Sequence, residues 1–303
     1  MAELILHHYD MSPYAEKIRL VFGLKRLTWR SVQIPIVMPK PDLTELTGGY
    51  RRTPVLQIGA DIYCDTKLIV RVLERLHPEP ALVPAGQEAI VQGLSRLGEA
   101  SFMMVVTIFL GLGGFDEDFV EDRRKMVPPG VDIDRAHLLV PTKLLQLRAN
   151  LDTFERQLSD GRAFLLGESA CLADLSAYHP HRFLTTHPTT AKLLDGLVHI
   201  PAWMERVAAI GHGERSELDS GEAVDIAKRA HPSAAPDDST ELPDGLAVGD
   251  SVIVIPEESG SGNVSGELLA SGLHQISIRR RSERAGDLVL HFPREEYLLI
   301  RTG

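Results

Sequence analysis

The stretch Thr53-Pro54-Val55-Leu56, followed ten residues after Val55 by Asp65-Thr66, decides the fold of this chain. The proline stands just before the apolar run from Val55 to Ile58, where a central strand normally excludes it. A threonine-proline step ahead of a strand predicts a turn or a cis bond that exposes backbone groups. Asp65-Thr66 stands before a periodic apolar pattern, and therefore predicts the start of a helix.

A second motif lies near the amino terminus. The apolar run Leu4-Ile5-Leu6 predicts a strand, and Ser12-Pro13-Tyr14-Ala15 follows it where a helix should begin. Serine is a good N-cap, and proline fits the first helical turn. Apolar residues then recur at three- and four-residue spacing up to Phe22, as on one face of a helix. Over residues 1–84 the patterns predict the order β-α-β-α-β-β-α.

These motifs together resemble the thioredoxin-like half of a glutathione transferase. In that family a serine or tyrosine after the first strand faces the sulfur of glutathione. The cis-proline loop pairs with the cysteinyl backbone, and an acidic residue followed by Ser or Thr holds the γ-glutamyl end. The resemblance gives the first role to Ser12, the second to Pro54 with Val55, and the third to Asp65 with Thr66.

Two hydroxyl groups compete for the sulfur. A free thiol has a pKa of about 8.5, so a hydrogen-bond donor and a helix N-terminus would both favour its thiolate. Ser12 is predicted to offer both, although an ordinary N-cap serine would give the same sequence. Tyr9 is the alternative, because some classes of the family use a tyrosine near the end of the first strand. Its other interpretation is an aromatic residue packed at the cleft between domains.

The predicted binding residues surround the extended tripeptide. Pro54 would turn the Val55 backbone outward, so that the peptide could pair with it as an added strand. Asp65 would counter the α-ammonium group, and the helix start at Thr66 would suit the γ-glutamyl carboxylate. The remaining candidates are Thr53 in the proline loop and three basic residues for the glycyl carboxylate, Lys40, Arg51 and Arg52.

The rest of the chain divides into two parts. Residues 86–232 carry almost only helical patterns, which predict an all-helical domain whose last helix, 221–230, closes a bundle. There Cys171 stands where a capping Ser or Thr is usual, three residues before Asp174, and we expect a cost in stability. A connector rich in Pro, Ser and Asp spans 232–244. Residues 245–303 contain five short strand patterns, which predict a small β-barrel module, SH3-like in type, or a small sandwich.

Composition excludes several classes of function. The net charge of −10 argues against a nucleic-acid partner, since phosphate binding needs a basic surface. The longest apolar run, 102–112, is too short to cross a bilayer and predicts a buried helix.

Two cysteines, Cys64 and Cys171, fit a reducing compartment, and the sequence shows no secretion signal. No histidine or cysteine spacing predicts a metal site. We therefore expect a cytoplasmic protein without metal.

The sequence thus predicts a glutathione transferase fold with an added β-module. The expected function is a glutathione transferase or glutathione-dependent lyase, acting in detoxification on a hydrophobic electrophile with glutathione as co-substrate. The resemblance further implies a homodimer. The alternative is a transferase-like scaffold protein without turnover, whose β-module binds a partner.

Overall fold

The computed structural model describes residues 3–126, 132–233, 242–257 and 262–302. The strands are β1 Ile5–His8, β2 Thr28–Gln33, β3 Val55–Ile58, β4 Asp61–Cys64, β5 Glu214–Glu217, β6 Ser251–Pro256, β7 Val264–Ser271, β8 Gln275–Ser282, β9 Gly286–Pro293 and β10 Tyr297–Arg301. The helices are α1 Pro13–Leu24, α2 Pro41–Thr47, α3 Thr66–Leu76, α4 Glu88–Gly111, α5 Glu117–Arg124, α6 Ala136–Gln157, α7 Leu172–Leu184, α8 Pro188–Ala191, α9 His199–Ala208 and α10 Ser220–Arg229. Short 3₁₀ turns occupy Ile133–Arg135 and Lys192–Leu194.

The first four strands and three helices form the thioredoxin-like domain, in the predicted order. Strand β1 pairs in parallel with β2 and antiparallel with β3, which in turn pairs antiparallel with β4. One row across the sheet contains Val32, His7, Val55 and Cys64. Since β1 and β4 both run antiparallel to β3, their carboxyl ends lie at the same edge of the sheet.

The helical domain is built around α4, α6 and α7, which pack against one another through α4. The buried Asp174 carboxylate lies in the first turn of α7 and joins three segments of the domain. It accepts hydrogen bonds from the Leu165 amide at 2.8 Å, the Cys171 amide at 2.9 Å and Trp203 Nε1 at 2.9 Å. Cys171 and Asp174 nevertheless form a capping box, since the sulfur takes the place of a serine oxygen toward the Asp174 amide and the Asp174 side chain accepts from the Cys171 amide. The thiol also donates to the same carboxylate over 3.3 Å.

Helix α4 is only partly the buried helix that the sequence predicts. It is long and apolar enough to cross a membrane by length and composition, but a third of its most apolar window is buried, and it packs against α6 and α7 as a core helix does. Val105 and Ile108 are buried, whereas the Met103 side chain is 60% exposed. The helix therefore covers the domain with one face and leaves the other open.

Helix α10 does not close the helical bundle, contrary to the expectation from the sequence. It packs on α2, β2 and β9, and its Ala223 and Ala227 belong to the core of the sheet. The Gln57 amide of β3 donates to the Ala223 carbonyl at 2.8 Å. The preceding strand β5 pairs in parallel with β2 at the far edge of the sheet. This part of the predicted helical domain is thus bound to the first domain, because α10 buries its apolar face there.

The predicted five strands of the C-terminal module are all present, as β6 to β10. They form a β-sheet module in the order β10-β6-β7-β8-β9. The module continues the thioredoxin-like sheet, since β9 pairs in parallel with β4 and the whole sheet has ten strands. Its SH3-like character and the three domain limits stay predictions. Residues 234–241 of the predicted connector lie outside the described residues.

Polar contacts stabilise the packing of the β-module against the first domain. The His291 ring lies between the buried Asp61 carboxylate, at 2.8 Å, and Gln275. Tyr63 stacks on the same ring with 4.5 Å between the centroids. Burial lowers the pKa of His291, so the imidazole is neutral. Arg280 of β8 also contributes, since it donates to the Glu45 carbonyl in α2 at 2.7 Å.

Candidate active site

The candidate site lies at the sheet edge where β1 and β4 end and β3 begins. His7, Val55 and Cys64 occupy one row there, so the segments that follow β1 and β4 and precede β3 must leave the sheet side by side. Helices α1 and α3 both begin at this edge. Two strand spacings span about 10 Å. An extended tripeptide is about as long, which makes the edge a suitable length for one.

The peptide bond between Thr53 and Pro54 is cis, as the sequence predicts. The Val55 side chain is fully buried, and Val55 is paired with His7 on one side and Cys64 on the other. Thr53 lies before the strand and is half-buried. Its hydroxyl accepts a hydrogen bond from Lys40 Nζ at 3.4 Å. Of the proline-loop residues that we predicted to bind glutathione, Thr53 therefore lies closer to the surface than Val55.

Ser12 is the N-cap residue of α1. Its Oγ accepts a hydrogen bond from the Ala15 amide at 3.2 Å, and Pro13 follows in the first helical turn. Because that bond uses a lone pair of the oxygen, the hydroxyl hydrogen stays available for donation. The Ser12 side chain is only 2% exposed. The positive end of the α1 dipole lies at the same position and favours a negative charge.

The loop before Ser12 is held by a buried ionic network. Arg19 donates to the Asp10 carbonyl at 2.8 Å, to Glu16 at 2.6 Å and to His8 Nδ1 at 3.0 Å. Since guanidinium only donates, His8 Nδ1 must accept, and the ring is neutral. Burial, together with the Arg19 charge, indeed lowers the pKa of His8 to about 3. The network therefore fixes the backbone that carries Ser12.

Tyr9 and Lys40 lie together beside the proline loop. The Lys40 ammonium is 5.7 Å from the centre of the Tyr9 ring, a cation–π distance. Burial, with the nearby charges of Arg123 and Arg51, lowers the pKa of Lys40 to about 8. Tyr9 is half-buried, so its ring is more accessible than the Ser12 hydroxyl.

Each of the two candidate arginines pairs with an aspartate. Arg51 Nη2 lies 2.6 Å from both oxygens of Asp122, a residue of α5. Burial raises the pKa of Asp122, but the hydrogen bonds from the Met38 amide and Arg51 lower it by more, so that it lies below its usual value. Arg51 thus joins the two domains. Arg52 Nη1 lies 3.8 Å from the Asp65 carboxylate instead.

Asp65 and Thr66 occupy the start of α3, as the sequence predicts. Asp65 has a φ of 74°, unusual for a residue with a side chain, and its Oδ1 accepts from the Lys67 amide at 2.9 Å. The Asp65 carboxylate therefore caps the helix. Thr66 is the first residue of α3 and is buried. A carboxylate and a helix N-terminus, side by side, are suited to an amino-acid head group that carries both charges.

Two families match the sequence. The glutathione S-transferase N-terminal domain matches residues 6–81, and the glutathione S-transferase C-terminal domain matches residues 126–210. A GST-like protein from Pseudomonas syringae is 40% identical, with a TM-score of 0.79, and the match covers 100% of both chains. The chain belongs to the glutathione S-transferase family.

Other solved structures share the fold at lower identity. The beta-etherase LigF from Sphingobium sp. strain SYK-6 is 19% identical, with a TM-score of 0.55, over 68% of this chain and 95% of that one. Glutathione S-transferase III in its apo form is 21% identical, with a TM-score of 0.52, over 69% of this chain and 92% of that one. No protein of curated function matches the sequence. The second family match ends at residue 210, so β5, α10 and the β-module lie outside both matches.

One residue at the candidate site was missed by the sequence analysis. The Tyr297 hydroxyl, from β10, donates a hydrogen bond to Asp65 Oδ2 at 3.1 Å. Nothing in the sequence relates these residues, which are 232 positions apart. The parallel pairing of β9 with β4 brings Tyr297 to Asp65, and only the structure reveals this pairing.

Cys64 does not provide an accessible thiol at the candidate site. It is fully buried at the end of β4, and burial raises its pKa well above the usual range. Because the thiolate is the reactive form, Cys64 is a structural residue.

Proposed function

We propose that the protein is a glutathione transferase or a glutathione-dependent lyase that activates the bound thiol for attack on a hydrophobic electrophile. The observation that carries the proposal is the common sheet edge, where two helix N-termini flank a cis-proline loop. Asp65 and Thr66 would bind the γ-glutamyl group at one end. Ser12, at the start of α1, would meet the sulfur of the central cysteinyl residue, and we call this part the sulfur end of the site.

Ser12 would lower the pKa of the glutathione thiol. Its hydroxyl hydrogen and the α1 dipole both stabilise the anion, and the thiol proton leaves to solvent. The thiolate then attacks an electrophilic carbon, so that a carbon–sulfur bond forms while the leaving group departs with its electron pair. The serine supplies no electrons to this step, because its role is to donate a hydrogen bond.

Lys40 and Arg52 would bind the glycyl carboxylate, with Thr53, Pro54 and Val55 along the cysteinyl backbone. Lys40 is the better supported cation, since Arg52 lies beside Asp65 and Arg51 is held by Asp122. A depressed pKa leaves Lys40 mostly protonated at neutral pH, when it can pair with a carboxylate.

The electrophile would bind between the two domains, beside the exposed Met11. Tyr14 packs edge-on against Phe102 of α4, with 4.9 Å between the centroids, and supplies an apolar surface there. The fold shared with a beta-etherase supports testing aryl ethers beside aryl halides.

The proposal is tested by two measurements on the full chain. We expect calorimetry to show glutathione binding, and we expect turnover of an aryl halide or a β-aryl ether that depends on glutathione. Absence of binding would overturn the proposal. Binding without turnover of either class would favour the scaffold function.

The scaffold function has one observation in its favour. Because Ser12 is 2% exposed, a bound sulfur must approach a nearly covered hydroxyl. A protein that holds glutathione without activating it would show retention on immobilised glutathione and an unchanged thiol pKa in the complex. Titration of the bound thiol by its thiolate absorbance separates the two functions.

We infer a cytoplasmic homodimer acting in detoxification, from the family. Exposed apolar side chains on α4 and α6 support an interface, among them Met103, Leu138 and Leu145. Light scattering that gives the mass of one chain at micromolar concentration would contradict the dimer.

A further inference from the structure

The turn between β9 and β10 lies at the same sheet edge as the candidate active site. Strand β9 runs parallel to β4, with His291 opposite Tyr63. The carboxyl end of β9 therefore points to the edge where Asp65 follows β4. The chain turns there, with a φ of 68° at Glu296, and β10 begins at Tyr297 beside the start of α3.

Two side chains of this turn contact the start of α3. The Tyr297 hydroxyl donates to Asp65 Oδ2 at 3.1 Å. Lys67 Nζ donates to Glu296 Oε1 at 2.5 Å, which draws the lysine charge toward the module. The added strands thus contact the carboxylate that is proposed to bind the ammonium group of glutathione.

A second tyrosine, Tyr50, fixes the direction of the hydrogen bond from Tyr297 to Asp65. The hydroxyl groups of Tyr50 and Tyr297 lie 3.1 Å apart. An ionised carboxylate only accepts, so the Tyr297 hydrogen goes to Asp65, and the Tyr297 oxygen accepts from Tyr50. The side chains of both tyrosines are almost completely buried, at 1% and 5% exposure. Burial raises the pKa of each phenol, and both therefore stay donors at physiological pH.

We propose that Tyr297 is a positioning residue for Asp65, so that the C-terminal strands complete the γ-glutamyl subsite of the glutathione site. The inference rests on the proposed function. One carboxylate oxygen of Asp65 is held by the Lys67 amide and the other by Tyr297, with Arg52 Nη1 3.8 Å from the second oxygen. A carboxylate has about four acceptor positions, and both oxygens therefore keep capacity for a ligand ammonium. Because these hydrogen bonds already orient the Asp65 carboxylate, ligand binding does not have to order it.

The test compares two ligands on the full chain carrying Tyr297→Phe. The first ligand is S-hexylglutathione, and the second is its deamino analogue, which has a glutaryl group in place of the γ-glutamyl group. Phenylalanine keeps the ring that packs on Phe292 at 5.7 Å between centroids and removes only the donor. We expect calorimetry to give a Kd about five- to tenfold higher for the first ligand, and an unchanged Kd for the second.

Two further variants separate positioning from structure. Tyr178→Phe removes the hydroxyl of another buried tyrosine, in α7, and should leave both Kd values unchanged. Tyr50→Phe should raise the Kd of the amine-bearing ligand by a smaller factor, with little further effect when combined with Tyr297→Phe. If Tyr297→Phe does not fold, Tyr50→Phe supplies the same two-ligand comparison.

The outcomes distinguish this inference from the proposed function. A wild-type protein that does not bind S-hexylglutathione would refute the proposed function, and the inference with it. A wild-type protein that binds, with a Tyr297→Phe variant that binds equally well, would refute the inference alone. An equal loss for both ligands would also refute it, because that loss would not depend on the ammonium group.

Discussion

The two ends of the candidate site are built differently. At the proposed sulfur end, Tyr9 and Ser12 lie three residues apart, and the serine caps its own helix. At the proposed γ-glutamyl end, Asp65 receives a hydrogen bond from Tyr297, 232 positions further along the chain. The first end depends on local backbone geometry, whereas the second depends on the packing of an added module. Substitutions at the two ends should therefore affect different kinetic parameters.

The largest effect is expected at the sulfur end. Ser12→Ala removes the proposed donor to the thiolate, and kcat/KM should fall about 100-fold, the usual result of losing one such donor. The bound thiol should titrate at a higher pH. Steady-state kinetics and thiolate absorbance measure both quantities.

The control for Ser12→Ala is Ser12→Thr, which keeps both the hydroxyl and the helix cap. The threonine variant should retain most of the activity. The alanine variant should also unfold more easily, by about 1 kcal/mol, because a cap is lost. An unchanged rate in Ser12→Ala would remove the serine from its role and leave Tyr9 as the candidate.

Asp65→Asn should change binding rather than chemistry. Asparagine has the same shape but loses the charge that would pair with the ammonium group. A hydrogen bond to a charged group contributes about 2 kcal/mol, so the Kd for S-hexylglutathione should rise about 30-fold. The kcat with saturating glutathione should stay close to that of the wild type. A fall in kcat with an unchanged Kd would place Asp65 at the wrong end of the site.

The charge of Lys40 gives the site a pH dependence of its own. Its pKa is lowered to about 8, so the ammonium form is lost as the pH rises through that value. The Kd for S-hexylglutathione should therefore rise by at most about tenfold between pH 7 and pH 9, in inverse proportion to the protonated fraction of Lys40.

Lys40→Arg is the matched control, because arginine stays charged over this range. The ligand's own amine also titrates at alkaline pH. Only the difference between wild type and variant therefore reports Lys40. Parallel pH curves for the two proteins would contradict a role for this lysine in binding.

The smallest effect is expected for Tyr9→Phe. The ring would remain beside Lys40 at a cation–π distance, and only the hydroxyl would be lost. We expect kcat/KM to change by less than about twofold, as for substitutions outside the site. A loss as large as that of Ser12→Ala would reverse the assignment at the sulfur end.

The contrast between the two ends also explains what the sequence could predict. The cis bond before Pro54, the Ser12 cap and the helix start at Asp65 follow from local turn and cap chemistry, which short motifs record. Strand β5 has the sequence ERSE, with every residue exposed, and it carries no apolar alternation to reveal a strand. The packing of α10 and the partner of Asp65 depend on tertiary contacts, so the sequence pattern could not predict them.

The pairing of β9 with β4 has a consequence for any shortened form of this protein. A chain cut before Ser251 would leave the backbone groups of residues 61–63 without their neighbouring strand. It would also leave the buried Asp61 carboxylate without the imidazole that now contacts it. Bare strand edges recruit other chains, and such a truncation should therefore precipitate or self-associate even though both recognisable transferase domains remain intact.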